Sequence, residues 1–146
     1  MTYERNTEAV NGKKTKAFEF FNKMMIYGFL WIFAAMLAFT AVRNIVYAKM
    51  NDTAGEFIIE LLIQLILLGS AVLLIKAGFD LKNRNISGAK EILIAGLMAT
   101  FVFIIELLTV DVLGGFVEIN FFYPLLSLAL SISVFRYYKM HEALFY

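Results

Sequence analysis

FIIELLIQLILLGSAVLLI, residues Phe57–Ile75, is the stretch that decides the fold class. Apart from Glu60 and Gln64 it has no strongly polar side chain, so it lacks the single apolar stripe of a helix at a protein–water boundary. At 1.5 Å per residue it makes a helix of about 28 Å, close to the roughly 30 Å of bilayer hydrocarbon. Apolar on every side and long enough to cross, the stretch reads as a membrane-spanning helix.

Working outward, three more runs have the same character: Met24–Val42, Ile92–Val110 and Phe121–Tyr138. The last is the shortest, and its apolar part ends near Phe135. It spans only if Arg136, Tyr137 and Tyr138 reach toward the interface, as amphipathic side chains do. Helices rather than strands follow from the solvent, because unpaired backbone amides in hydrocarbon are costly and these runs do not alternate. The expectation is an all-α protein, an up-down bundle of four transmembrane helices, flanked by a polar segment at residues 1–23 and a short tail at 139–146.

Composition agrees with that reading. The chain has 146 residues, 61% of them hydrophobic, and a mean hydropathy of +0.75. A soluble domain is nearer 45–50% apolar. A net charge of +1 supplies no field to gather nucleic acid. Without cysteine there is no disulfide, thiolate nucleophile or Cys-based zinc site, and His141 is the single histidine, so no metal and no cofactor are expected.

The first run exceeds the 7–15 residues of a secretory h-region and is taken as an uncleaved span. The basic residues then orient the chain. Of the 13 Lys and Arg, only Arg43 and Lys49 lie in the first connection and none in the third. The others lie in the head, the second connection and the C-terminal end, where Arg136 and Lys139 stand. The positive-inside rule places both termini in the cytoplasm and favours an even number of crossings of the cell membrane.

Inside the spans, carboxylates are the informative groups, because an ionisable side chain in hydrocarbon is a site hypothesis by default. Glu60 lies about 4–5 Å below the outer boundary of its span, and Glu106 reaches a similar level on the antiparallel neighbour. At 100° per residue Glu60, Gln64, Ala71 and Gly78 share one face, while Glu106 shares another with Ala95 and Ala99. Small residues mark faces where membrane helices approach, so both glutamates are expected to point inward. Arg43 reaches the same level. Arg43, Glu60, Gln64 and Glu106 form a candidate ion or polar site in which two carboxylates share a proton. The bland alternative is structural glue. Ser127 and Ser131 are expected to supply helix-packing hydrogen bonds.

Other features carry less. Lys76 and Asp80, four apart, suit a solvated anchor pair. Phe121–Tyr123 and Tyr137–Tyr138 suit interfacial belts, and Phe18, Phe20 and Phe21 beside lysines suit the inner surface. Gly114 and Gly115 mark a turn, with Pro124 in the first turn of the last helix. The acceptor patterns at Asn51 and Asn85 are too short to weigh. No nucleophile–base arrangement or phosphate loop is present, so no catalytic residue is named. The first span carries no acidic residue, unlike small four-span multidrug transporters.

The functional expectation is a non-enzymatic membrane protein, a subunit, adaptor or protective partner of another membrane component. Its partners would be the lipid bilayer and either its own copies or another membrane protein, with no nucleic acid. The stripe of Ala34, Ala38 and Ala41, and that of Ala95 and Ala99, are expected to leave room for a further helix. The alternatives are a homo-oligomeric ion-coupled transporter or channel using Glu60 and Glu106, and a membrane enzyme acting on lipid headgroups.

Overall fold

The computed structural model describes residues 2–109 and 117–145, with side chains at 12, 14–108 and 122–145. The described residues are helical with no strand: α1 (Thr2–Met24), α2 (Leu30–Asn51), α3 (Ala54–Lys82), α4 (Ser87–Thr109) and α5 (Val117–Met140), then a short 3-10 turn at Glu142–Phe145. The expected turn at Gly114–Gly115 lies outside the described residues.

α2, α3 and α5 extend past the ends of the apolar stretches that announced them, and α4 begins before its own, because backbone hydrogen bonding does not stop where hydrophobicity does. The connection expected over Arg43–Glu56 shrinks to Asp52 and Thr53. Thr53 caps α3 in a reciprocal box: its hydroxyl accepts from the Glu56 amide, and the Glu56 carboxylate accepts from the Thr53 amide at 3.0 Å. The connection expected over Lys76–Glu91 shrinks to residues 83–86. There α3 ends in a Schellman turn, with Asn85 N–H donating to Asp80 C=O and Arg84 N–H to Leu81 C=O. The left-handed residue of that turn is Arg84, φ 58°, although glycine is the usual occupant.

The polar segment is also helical from Thr2 onward, and α1 runs into α2 through a single π-turn, Met25–Phe29. On a regular α-helix Phe18 and Ala34 would face directions about 160° apart. The extra residue absorbed by the π-turn removes roughly 100° of that difference. Phe18, Met25, Ile26, Leu30 and Ala34 thereby join one buried cluster.

Successive helices pack in chain order, α2 on α3, α3 on α4 and α4 on α5. Buried positions recur at alternating intervals of three and four: Leu67, Ala71, Leu74, Gly78 and Leu81 on α3, and Ile92, Ala95, Ala99 and Val102 on α4. Ala41 of α2 closes against Leu67, Ala99 and Val102. The stripe of Ala95 and Ala99 is therefore consumed inside the molecule and leaves no room for a further helix, because Ser70 donates to the Ala95 carbonyl at 2.6 Å across the seam. Ala34 and Ala41 are likewise buried.

Among the described residues, three helical segments are long and apolar enough to cross a membrane: Lys14–Asn51, Ala54–Lys82 and Ser87–Leu108. The fourth expected span, in α5, is not among them. Pro124 lies eight residues into α5 rather than in its first turn, since the helix begins at Val117. The lost amide there leaves the Asn120 carbonyl without its helical donor.

One end of the fold is closed by aromatics. Tyr138, expected at a lipid interface, is completely buried, its ring edge-on to Phe18 and its hydroxyl donating to Asn22 Oδ1 at 2.9 Å. Phe18 also turns inward, while Phe20 stays exposed. His141 stacks on Phe18 and bonds through Nδ1 to the Tyr137 carbonyl. At this end Arg84 meets Glu19 and the Leu144 carbonyl. Head, second connection and tail thus share one end.

Candidate functional site

The opposite end holds the polar group. α3 presents Glu60 and Gln64 one turn apart, and α4 presents Glu106 four residues beyond Val102, continuing the three-and-four rhythm of its buried face. Gln64 is completely buried. Its Nε2 donates to Glu60 Oε1 and to Glu106 Oε1, both at 2.7 Å. A single amide nitrogen thus joins two carboxylates on neighbouring helices.

The third contribution comes from α2. Asn44 Nδ2 donates to the same Glu106 oxygen at 2.9 Å. Asn44 Oδ1 in turn accepts from Arg43, at 3.4 Å from Nε and 3.3 Å from Nη2. Arg43 is exposed at the helix surface and reaches the carboxylates through its neighbour. The group therefore comprises Arg43, Asn44, Glu60, Gln64 and Glu106, and it ties α2, α3 and α4 at one level.

Asn44 was missed in reading the sequence, and a signal for it exists. It lies three residues after Ala41 and four before Ala48, both buried, so it continues the inward stripe of α2. The cap at Thr53 had its own signature in the spacing of Thr53 and Glu56.

Within this group the hydrogen bonding is uneven. Gln64 Oε1 is buried and has no partner. Buried amide oxygens are nearly always satisfied, so this one calls for an explanation.

The two serines of α5 lie nearer the middle. Ser127 donates to the Gly96 carbonyl of α4 at 3.3 Å. Ser131 returns its hydroxyl to its own helix, to the Ser127 and Leu128 carbonyls, and packs on Gly96 so closely that a Cβ there would overlap it. One serine bonds across the helices; the other sets their separation.

A second polar group joins α3 to α4 near the aromatic end. Lys76 pairs with Asp80 at 3.2 Å and with Glu91, and Ser87 donates to Asp80. The expected pair of Lys76 and Asp80 thus extends to Glu91, which is buried and keeps Oε2 unpartnered.

Among the described residues no three acidic, histidine or cysteine side chains gather as a metal site. Between α2 and α3 an apolar groove of about 440 Å³ is lined by Trp31, Ala34, Ala35, Ala38, Leu68 and Ala71, among others. No protein-family model matches the chain, and neither a curated protein nor a solved structure does.

Proposed function

We propose that this chain is a small polytopic protein of the cytoplasmic membrane, crossing four times with both termini inside, and that it acts without chemistry as a subunit, adaptor or protective partner of another membrane component. The fourth crossing would be α5. It is supported by the contacts of Arg84 with Glu19 and Leu144, which bring the basic segments to one end of the helices.

The observation that carries the partner role is the groove between α2 and α3. Ala35 and Ala38 border it, and small side chains of this kind let another helix approach closely in lipid. A photoreactive residue at position 35 in native membranes is expected to give a discrete adduct, with a second copy or with one other membrane protein. Ala38→Leu, which fills the groove, is expected to abolish it. Crosslinking to lipid alone, together with a monomer in bilayers, overturns the reading.

A second reading, a homo-oligomeric ion-coupled transporter or channel, is favoured by one observation, the meeting of Glu60 and Glu106 on the Gln64 amide. Intramembrane carboxylates that converge mark ion and proton pathways. Glu60→Gln and Glu106→Gln are expected to reduce liposome flux to background. Flux unchanged in both variants removes this reading.

A further inference from the structure

The unpartnered oxygen of Gln64 narrows what the carboxylate pair binds. Gln64 Nε2 already donates to both Glu60 and Glu106, and Oε1, on the same amide, is buried without a donor. With both carboxylates ionised, the site holds two like charges joined by one nitrogen and an amide oxygen that lacks a donor. Both are costly in a partly buried site. One proton resolves both. A protonated carboxyl gains an O–H donor, which the amide oxygen accepts, while the amide N–H still serves the remaining carboxylate.

We infer that Glu60, Gln64 and Glu106 form a binding site for a single exchangeable proton, shared between the two carboxyl groups and oriented by the amide. This deepens the ion-coupled reading and rests on it for any role in transport. The groups facing the site are Arg43 and Asn44 from α2, Glu60 and Gln64 from α3, and Glu106 from α4. From α5, packed on α4, Tyr123 contacts Phe103 at the same end. Glu60 and Glu106 are both partly buried, so the site borders on water and the proton can exchange with it. Loading converts one carboxylate to a neutral acid, and release returns the proton to the solvent that borders the site. The amide oxygen and nitrogen have different partners in the two states, so Gln64 is a positioning residue and no proton passes through it.

Infrared difference spectroscopy on the full chain in liposomes tests this directly. A carbonyl stretch of a protonated carboxyl, sensitive to deuterium exchange, is expected to titrate as one proton. It should vanish in Glu60→Gln and in Glu106→Gln and survive in Glu91→Gln, which removes the other buried carboxyl. Gln64→Leu is expected to shift its frequency and titration midpoint. If no such band exists in the unmodified protein, or if sodium at fixed pH displaces it, the proton site is wrong. Flux measured on the same liposomes separates the two claims. A band without flux keeps the site and ends the transport reading, whereas flux without a band ends the site alone.

Discussion

Asn44 and Glu106, 62 residues apart in the chain, meet through a 2.9 Å hydrogen bond that ties the second helix to the fourth. Because it crosses the seam filled by α3, this bond sets the register of three helices at once. Asn44→Leu leaves a partly buried carboxylate short of a donor. It is expected to cost about 1–3 kcal/mol, the usual penalty for orphaning a buried polar partner. Unfolding in mixed micelles measures it. Asn44→Leu combined with Glu106→Leu is expected to recover most of the loss, since removing both partners restores a matched apolar surface.

Tyr138 and Asn22 make the corresponding tie at the other end. Tyr138→Phe keeps the ring in contact with Phe18 but leaves buried Asn22 Oδ1 without its donor. A loss of about 1–3 kcal/mol is expected in thermal unfolding, with the helical content of the folded state unchanged. Phe18→Ala should cost more, about 3–5 kcal/mol, because a completely buried aromatic leaves a cavity.

The contact of Gly96 with Ser131 predicts a suppressor. Gly96→Ala places a methyl group on top of the Ser131 side chain and is expected to destabilise the α4–α5 packing by about 1–3 kcal/mol. Ser131→Gly removes the obstructing atoms, so the double variant should be more stable than Gly96→Ala alone. Equal stability of the two would show that α5 does not sit against α4 at this point.

Arg84 occupies a conformation that side chains avoid. Arg84→Gly is expected to stabilise the protein by up to about 1 kcal/mol, offset by loss of the long contacts to Glu19 and Leu144. Arg84→Val should destabilise it by about 1–2 kcal/mol, because a β-branched side chain tolerates a left-handed backbone poorly. A chemical-denaturation series over the three residues checks the order.

The apolar runs were legible because in lipid one property, uninterrupted hydrophobicity, identifies a helix. Glu60, Gln64 and Glu106 were legible for the complementary reason, as polar exceptions within those runs. Asn44 escaped notice because it falls just past the first run, where a polar residue attracts no attention, although its spacing from Ala41 aligns it inward. The helicity of the head was hidden because its polar sequence offers no solvent-driven signal. The inward turn of Tyr138 was hidden because a tyrosine at a span boundary suits an interface equally well, and only the position of Phe18 and Asn22 decides. The small residues Ala95 and Ala99 told that a helix would approach, but not which one, and the partner proved to be internal.

The unbroken helical path from Thr2 through the π-turn to Asn51 has a mechanical consequence. At 1.5 Å per residue it is about 75 Å long, well over twice the roughly 30 Å thickness of bilayer hydrocarbon. The α1 helix therefore continues past the aromatic clasp on the same backbone ladder that leads into α2. Because that ladder is continuous, the direction of α2 sets the direction in which α1 leaves the clasp, and the packing of the buried helices is coupled to the course of the head.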